Sequence, residues 1–270
     1  MDKSIIKIVN MSFKHKKEDY LFRSFNLEIK EGSFTTIIGK NGSGKSTLAK
    51  ILIGLYKADG YISIDGYLLN DFYLKKIRRV FSVCFNDADS HFIGETVRDD
   101  LAFTLENLEY SNKEMIKSIE VIAKKFKLES ILDKSPEELT NSEKEKVMIA
   151  SSVIHKPKII LLDESIYKLT PSDKKLVFKL LKEYQKEYKL TVILITHDLE
   201  DTLYSDNIIV LDKGKIIMKG TKEEIYKDET LEKLGFNLPF IVKLSHNLML
   251  YDLLDRVYFD SGEVMNKLWP

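Results

Sequence analysis

The stretch GKNGSGKS, Gly39 to Ser46, follows the apolar run SFTTIIG and opens the helical pattern KSTLAKILIGLY. A G-x-x-x-x-G-K-S/T spacing at a strand-to-helix turn is a phosphate loop, and it commits the chain to a sheet whose strand ends meet helix starts. Small residues at Gly39, Asn41, Gly42, Ser43 and Gly44 let backbone N–H groups close around phosphate oxygens. Lys45 is expected to reach the β- and γ-phosphates, the Ser46 hydroxyl to bind Mg²⁺, and Thr47 to contact the α-phosphate. An ordinary Gly-rich turn would not need the lysine and hydroxyl in this order.

A second apolar strand pattern, KIILLDE, ends on Asp163 and Glu164. Asp163 suits the Mg²⁺ shell, and the acid directly after it is placed to polarise an attacking water. The competing reading is that both acids cap a following helix. A third such pattern, ILITHDL, ends on His197, where an imidazole can hydrogen-bond the γ-phosphate.

The rest of the chain alternates strand and helix patterns. IIKIVNMSF, FNLEIK, YISIDG and RRVFSVCF read as strands, and NIIVLDKGKIIMKG as a hairpin. From Glu95 to about Lys156 the pattern is helical, with KEMIKSIEVIAKKFKL strongly amphipathic. This predicts a βαβ core interrupted by a helical block. After Asp228 an apolar tail begins, carrying Phe236, Pro239, Phe240, Leu248, Leu250 and Leu253. Packing on its own domain and meeting a partner are both open to it. Forty-two basic residues balance 42 acidic ones, so no global field favours nucleic acid or anionic lipid. The single Cys84 reads as a buried small hydrophobe in a reducing compartment. No apolar stretch approaches the roughly 18–20 residues of a membrane span, and MDKSIIKIVN does not read as a signal peptide.

Taken in order, GKNGSGKST, the helical block, ELTNSEKEKVMIA, IILLDE and ITHD resemble the ATPase subunit of ABC transporters over roughly residues 4–225. FIGETVRDDLAFTLENL and the tail GFNLPFIVKLSHNL look more narrowly like energy-coupling factor (ECF) transporter ATPases. The resemblance implies an α/β P-loop ATPase fold with a RecA-like parallel core, an antiparallel β subdomain and a helical subdomain inserted at about 87–156. It divides the chain into an ATPase domain, 1–228, and a dimerisation or docking extension, 229–270. It implies ATP and Mg²⁺, and a second homologous ATPase, often a different chain. It also implies a membrane coupling protein and a substrate-binding membrane component for vitamin or transition-metal uptake. The place of work is then the cytoplasmic face of the membrane, with no nucleic-acid partner. Asn86 stands where the family has a Gln in the loop that senses the membrane subunit, one methylene shorter but still an amide expected to reach Mg²⁺ or water. His15, with Phe13 as the alternative, stands at the aromatic that stacks on adenine. ADSHF, residues 88–92, lacks the family's Pro and Gln where the coupling protein docks.

In this family ATP lies between the phosphate loop of one subunit and an LSGGQ signature of the other. Here that segment is Leu139, Thr140, Asn141, Ser142 and Glu143. Both glycines are gone, and Glu143 brings a carboxylate that costs about 3 kcal/mol per charge pair at roughly 6 Å and an effective dielectric of about 20. Thr140-x-x-Glu143 is instead a capping box, so the start of a helix should survive while phosphate contact is lost. Thr170 replaces a family Asp that works across the dimer. Both altered elements act in trans, while Lys45, Ser46, Asp163, Glu164 and His197 act in cis. The expectation is an asymmetric pair in which this chain's site hydrolyses ATP when a partner supplies an intact signature. A soluble non-transport ABC ATPase and an ATP-binding regulator are the alternatives. A GTPase lacks its guanine-reading aspartate, since Asn266-Lys267 precedes Leu268-Trp269, and a small-molecule kinase leaves His197 without a role.

Overall fold

Long β-branched alternation in the first 30 residues forms an antiparallel pair, β1 (Ser4–Lys14) and β2 (Tyr20–Lys30), in a computed structural model that describes residues 3–16, 19–86, 92–227 and 229–269. After it β3 (Phe34–Gly39) is buried at all six positions, as a strand covered on both faces requires. It runs directly into the phosphate loop and α1 (Lys45–Leu52). β4 (Asp59–Ile64) and β5 (Tyr67–Leu68) flank the Asp65-Gly66 turn and complete an antiparallel sheet ordered β2-β1-β4-β5.

RRVFSVCF divides where a continuous strand was expected. Arg78, Arg79 and Val80 end a helix, α2 (Leu74–Val80), and only Phe81–Cys84 form β6. The two arginines sit in the last helical turn, where their charge meets the negative end of the helix. The helical block follows as α3 (Val97–Glu106), α4 (Asn112–Phe126) and α5 (Asn141–Val153). The chain then alternates through β7 (Ile159–Asp163), α6 (Pro171–Tyr188) and β8 (Thr191–Thr196) to the hairpin of β9 (Asn207–Asp212) and β10 (Lys215–Gly220). The last segment holds α7 (Lys222–Ile225), α8 (Thr230–Lys233), α9 (Phe240–Met249) and α10 (Ser261–Leu268).

The second sheet is ordered β10-β9-β3-β8-β7-β6, with every pair from β9 to β6 parallel. Because side chains alternate across a strand, neighbouring residues feed different cores. Phe34, Ile160, Leu162, Val192 and Leu194 pack with the apolar faces of α3 to α6. Ile37, Leu161, Ile193 and Ile195 pack with the antiparallel sheet and α1. Ile38, Ile208 and Val210 pack under the tail, against Ile241, Val242, Leu254, Tyr258 and Val264. The tail therefore covers its own domain, and it still leaves Leu250, Tyr251, Leu253, Met265 and Trp269 exposed. No helix of the described residues is long and apolar enough to cross a membrane. Cys84 is fully buried on β6, and burial pushes its thiol up to about 12.

His155, just past α5, has Nε2 3.4 Å from Ser82 Oγ and a buried Nδ1 without a hydrogen-bond partner. Burial pushes its imidazole down to about 4 from an ordinary 6.5. Between those values the unfolded chain binds a proton that the folded chain refuses, so stability must fall as pH falls through that window. Urea unfolding as a function of pH should show this slope, and His155→Gln should reduce it.

Candidate nucleotide site

The parallel ladder brings three strand ends level. Ile38 pairs with Thr196, and Asp163 with Ile195, so Gly39, Glu164 and His197 each leave the sheet at the same edge. Gly39 has no room for a side chain: a Cβ there would lie 2.3 Å from Leu211 O and 2.5 Å from Ser43 Oγ. That close approach lets the loop fold tightly, with Ser43 N–H donating to Lys40 O at 3.1 Å and Gly214 N–H to Ser43 O at 2.9 Å. Asn41, Gly42 and Ser46 form the exposed rim, Ser43, Gly44 and Lys45 are buried, and Thr47 is half-buried.

Lys45 Nζ donates to Gly39 O at 2.7 Å and Lys40 O at 3.3 Å, so its ammonium is folded into the mouth of the loop. Burial holds it below the usual lysine range, while the charges of Glu164 and Asp163 pull it back up. Ser46 Oγ donates to Asp163 Oδ1 at 3.2 Å, joining the start of α1 to the end of β7. Burial raises the Asp163 carboxyl above its ordinary range; the Ser46 hydrogen bond opposes this, and the neighbouring Glu164 adds to it. A hydroxyl and a buried carboxylate at one edge, beside an ammonium, are a hard oxygen pair suited to Mg²⁺.

Glu164 adopts a left-handed backbone, φ 55°, uncommon for a residue with a side chain. Its N–H donates to Ile195 O at 3.0 Å, and its Oε2 shares a 2.5 Å hydrogen bond with His197 Nδ1. The acid and the imidazole, 33 residues apart in sequence, thus form one polar unit facing the loop. A cleft of about 570 Å³ beside them is lined by Lys40, Asn41, Tyr167, His197, Phe236 and Asn237, so the tail supplies one wall.

The remaining expected residues are less closely gathered. Among the described residues no hydrogen bond joins Asn86 to Ser46 or Asp163; it is exposed, two residues past β6. Residues 88–91 of the segment expected to dock the coupling protein lie outside the described residues. Phe13 is buried and stacks on Tyr56, ring centroids 5.4 Å apart, so its faces are not free for a base. His15, half-buried, meets both rings edge-on at 5.0 and 5.6 Å. Sequence reasoning missed Tyr56, although a tyrosine four residues beyond the phosphate-loop helix was a signal that could have been noticed.

The expected capping box is present. Thr140 is the N-cap of α5: its N–H and Oγ1 both donate to Glu143 Oε2 at 2.8 Å, and Glu143 N–H returns to Thr140 Oγ1 at 3.3 Å. The Thr140 N–H bond holds the Glu143 carboxyl below the usual carboxylate range, which keeps it charged. Leu139 is buried, Asn141 is exposed, and Ser142 is turned inward, its Oγ donating to Asp173 Oδ2 at 2.7 Å.

A phosphate loop backed by a buried Asp-Glu strand end and a histidine defines a nucleotide-hydrolysing cassette. A family model described as ABC transporter matches residues 22–167. Energy-coupling factor transporter ATP-binding protein EcfA1 of Ligilactobacillus salivarius is 37% identical, the match covering 99% of this chain and 96% of that protein. EcfA1 of Geobacillus kaustophilus is 35% identical over 100% and 98%. Among solved structures, CbiO1 of Clostridium perfringens, described as part of the ABC transporter complex cbiONQ, matches with a TM-score of 0.78 and 30% identity, covering 91% of this chain and 100% of that one. A dimeric ATP-binding cassette in a post-hydrolysis state, bound to ADP and Pi, matches with a TM-score of 0.71 and 29% identity over 80% and 98%. The chain belongs to the ABC transporter ATP-binding subunits, among the energy-coupling factor transporter ATPases, and it couples ATP hydrolysis to transport.

Removing the α5 cap has a measurable cost. Thr140→Ala should lower stability by about 1 kcal/mol in urea unfolding, since it deletes both the cap acceptor and the hydroxyl that anchors Glu143.

Proposed function

We propose that this chain is one half of an unequal ATPase pair that powers an ECF-type importer, with a membrane coupling protein and a membrane substrate-binding component as its further partners. Its place is the cytoplasmic face of the membrane, and the cargo class is a vitamin or a transition-metal ion. The relatives' names and the CbiO1 description support the transport partners. One observation carries the asymmetry: donors at the start of α5 that would face a neighbour's phosphate are already engaged inside this chain, by Glu143 and Asp173.

In this reading the N–H groups of residues 39–44 and the Lys45 ammonium hold the triphosphate, with Thr47 beside the α-phosphate. Lys45 must leave Gly39 O and Lys40 O to reach it, and phosphate oxygens replace those acceptors. Ser46 and Asp163 would hold Mg²⁺, with Asn86 completing the set; the ion would neutralise charge on the phosphate oxygens. Glu164 accepts a proton from the attacking water, and His197 keeps its carboxylate aimed. His15 would cover the base, with Tyr56 edge-on beside it. The ATPase domain spans 1–228, with the helical insertion at about 87–156, and the extension 229–270 supplies a dimer or docking surface through its exposed Leu250, Tyr251 and Trp269. The site formed by this chain's residues 139–143 on the partner's nucleotide is poor.

Purified alone, the chain should show little turnover, and an ATPase partner with an intact signature should restore it. In that pair Glu164→Gln should lower turnover by about 10²-fold or more, and the equivalent change in the partner should matter less; the reverse ranking would overturn the asymmetry. The double variant Asn141→Gly and Glu143→Gln keeps the Ser142 bond and removes the charge, so vanadate trapping of nucleotide at the partner's site should rise.

A further inference from the structure

The loop from Glu164 to α6 is tied to α5 by two side chains one helical turn apart. Ser142 Oγ accepts the Thr170 N–H at 3.0 Å while donating to Asp173 Oδ2. Glu145 Oε2 accepts the Lys168 N–H at 2.9 Å. Positions i and i+3 share one helix face, so α5 receives two amides of the loop, those of Lys168 and Thr170, on a single stripe. Asp173, in the first turn of α6, closes the arrangement. Its carboxylate also takes the Thr170 hydroxyl and the Lys146 ammonium, each at 3.1 Å, and its N–H returns to Thr170 Oγ1 at 3.3 Å. Glu145 is only 1% exposed, and its second oxygen, Oε1, is buried without a hydrogen-bond partner. A buried carboxylate committed to a loop amide is a costly choice where a neutral side chain could pack.

We propose that Ser142, Glu145 and Asp173 form a latch that fixes residues 165–170 to α5, so that the start of α5 and the backbone carrying Glu164 move as one body. Ser165 and Ile166, next after Glu164, are fully buried, so there is little slack between the latch and the acid. The latch residues touch no reacting atom; they position Glu164, and they connect it to residues 140–143. What passes through this connection rests on the proposed pairing, whereas the latch itself does not.

The groups facing Glu145 are Lys168 on the loop, Lys174 on α6 and the Cys84 thiol on β6. Burial pushes its carboxyl up to about 7, against the Lys168 amide and the two lysines. The charged form accepts amide bonds more strongly, so the latch tightens as pH rises through neutrality.

Hydrogen exchange in the full-length chain, read on peptides spanning 166–172 and corrected for intrinsic rates, tests the latch directly. In the wild type these amides should exchange more slowly at about pH 8 than at about pH 6. Glu145→Gln keeps an acceptor and should lose that difference; Glu145→Ala and Ser142→Ala should each exchange about tenfold faster. Protection in both alanine variants equal to wild type would show that there is no latch, and a Glu145→Gln chain with the wild-type pH response would remove Glu145 from it. In the assembled transporter, Glu145→Ala should lower kcat several-fold with KM for ATP unchanged, and Glu145→Gln should flatten the kcat profile across the same pH range. An unchanged kcat in an assembly that Glu164→Gln inactivates would overturn the positioning role. An assembly indifferent to Glu164→Gln would instead overturn the proposed function, leaving the exchange experiment to decide the latch.

Discussion

The parallel pairing of β3, β8 and β7 is the constraint on which the site depends. Register fixes Ile38 beside Thr196 and Ile195 beside Asp163, so the loops that begin at Gly39, Glu164 and His197 leave the same end of the sheet together. A one-residue slip in any of these strands would turn its buried side chains to the other face and carry the residue at its end away from the others. The fully buried runs FTTIIG, IILLD and TVILIT oppose such a slip only through what packs on both of their faces. The helical block on one face and the antiparallel sheet on the other therefore hold the site together, although neither supplies Glu164, Lys45 or His197.

The sequence made legible what is local. The phosphate loop, the Asp163-Glu164 strand end and the Thr140-x-x-Glu143 cap each lie within a few residues, and each motif implies its own geometry. RRVFSVCF was misread because apolar content alone does not separate a helix end from a strand, and the arginines of α2 are favoured by a helix terminus. Phe13 is another tertiary outcome: its spacing from His15 put both at the expected place, but Tyr56, 43 residues later, lies on the Phe13 face. The partners of Ser142 could not be read at all, since Asp173 and Thr170 come to it only when α5 and α6 pack.

The start of α5 is defined by bonds within its own chain. Here Thr140 gives its N–H and hydroxyl to Glu143, and Ser142 gives its hydroxyl to Asp173. The segment has become a well-capped helix start, stabilised within its own chain. Lys45, at the start of α1, bonds to Gly39 and Lys40, and Asp163 to Ser46, whereas the loop that follows Glu164 is reached from α5 through Ser142.

The tail's turn at Gly235 has φ 83°, and a Cβ there would lie 3.4 Å from the Lys40 ammonium. Together with Phe236 and Asn237, this turn walls the cleft beside the phosphate loop. The tail is therefore no interchangeable module. Grafting a relative's tail onto this cassette would rebuild one wall of the cleft beside its phosphate loop, so such a chimera would change the surroundings of Lys40 and His197 along with the tail.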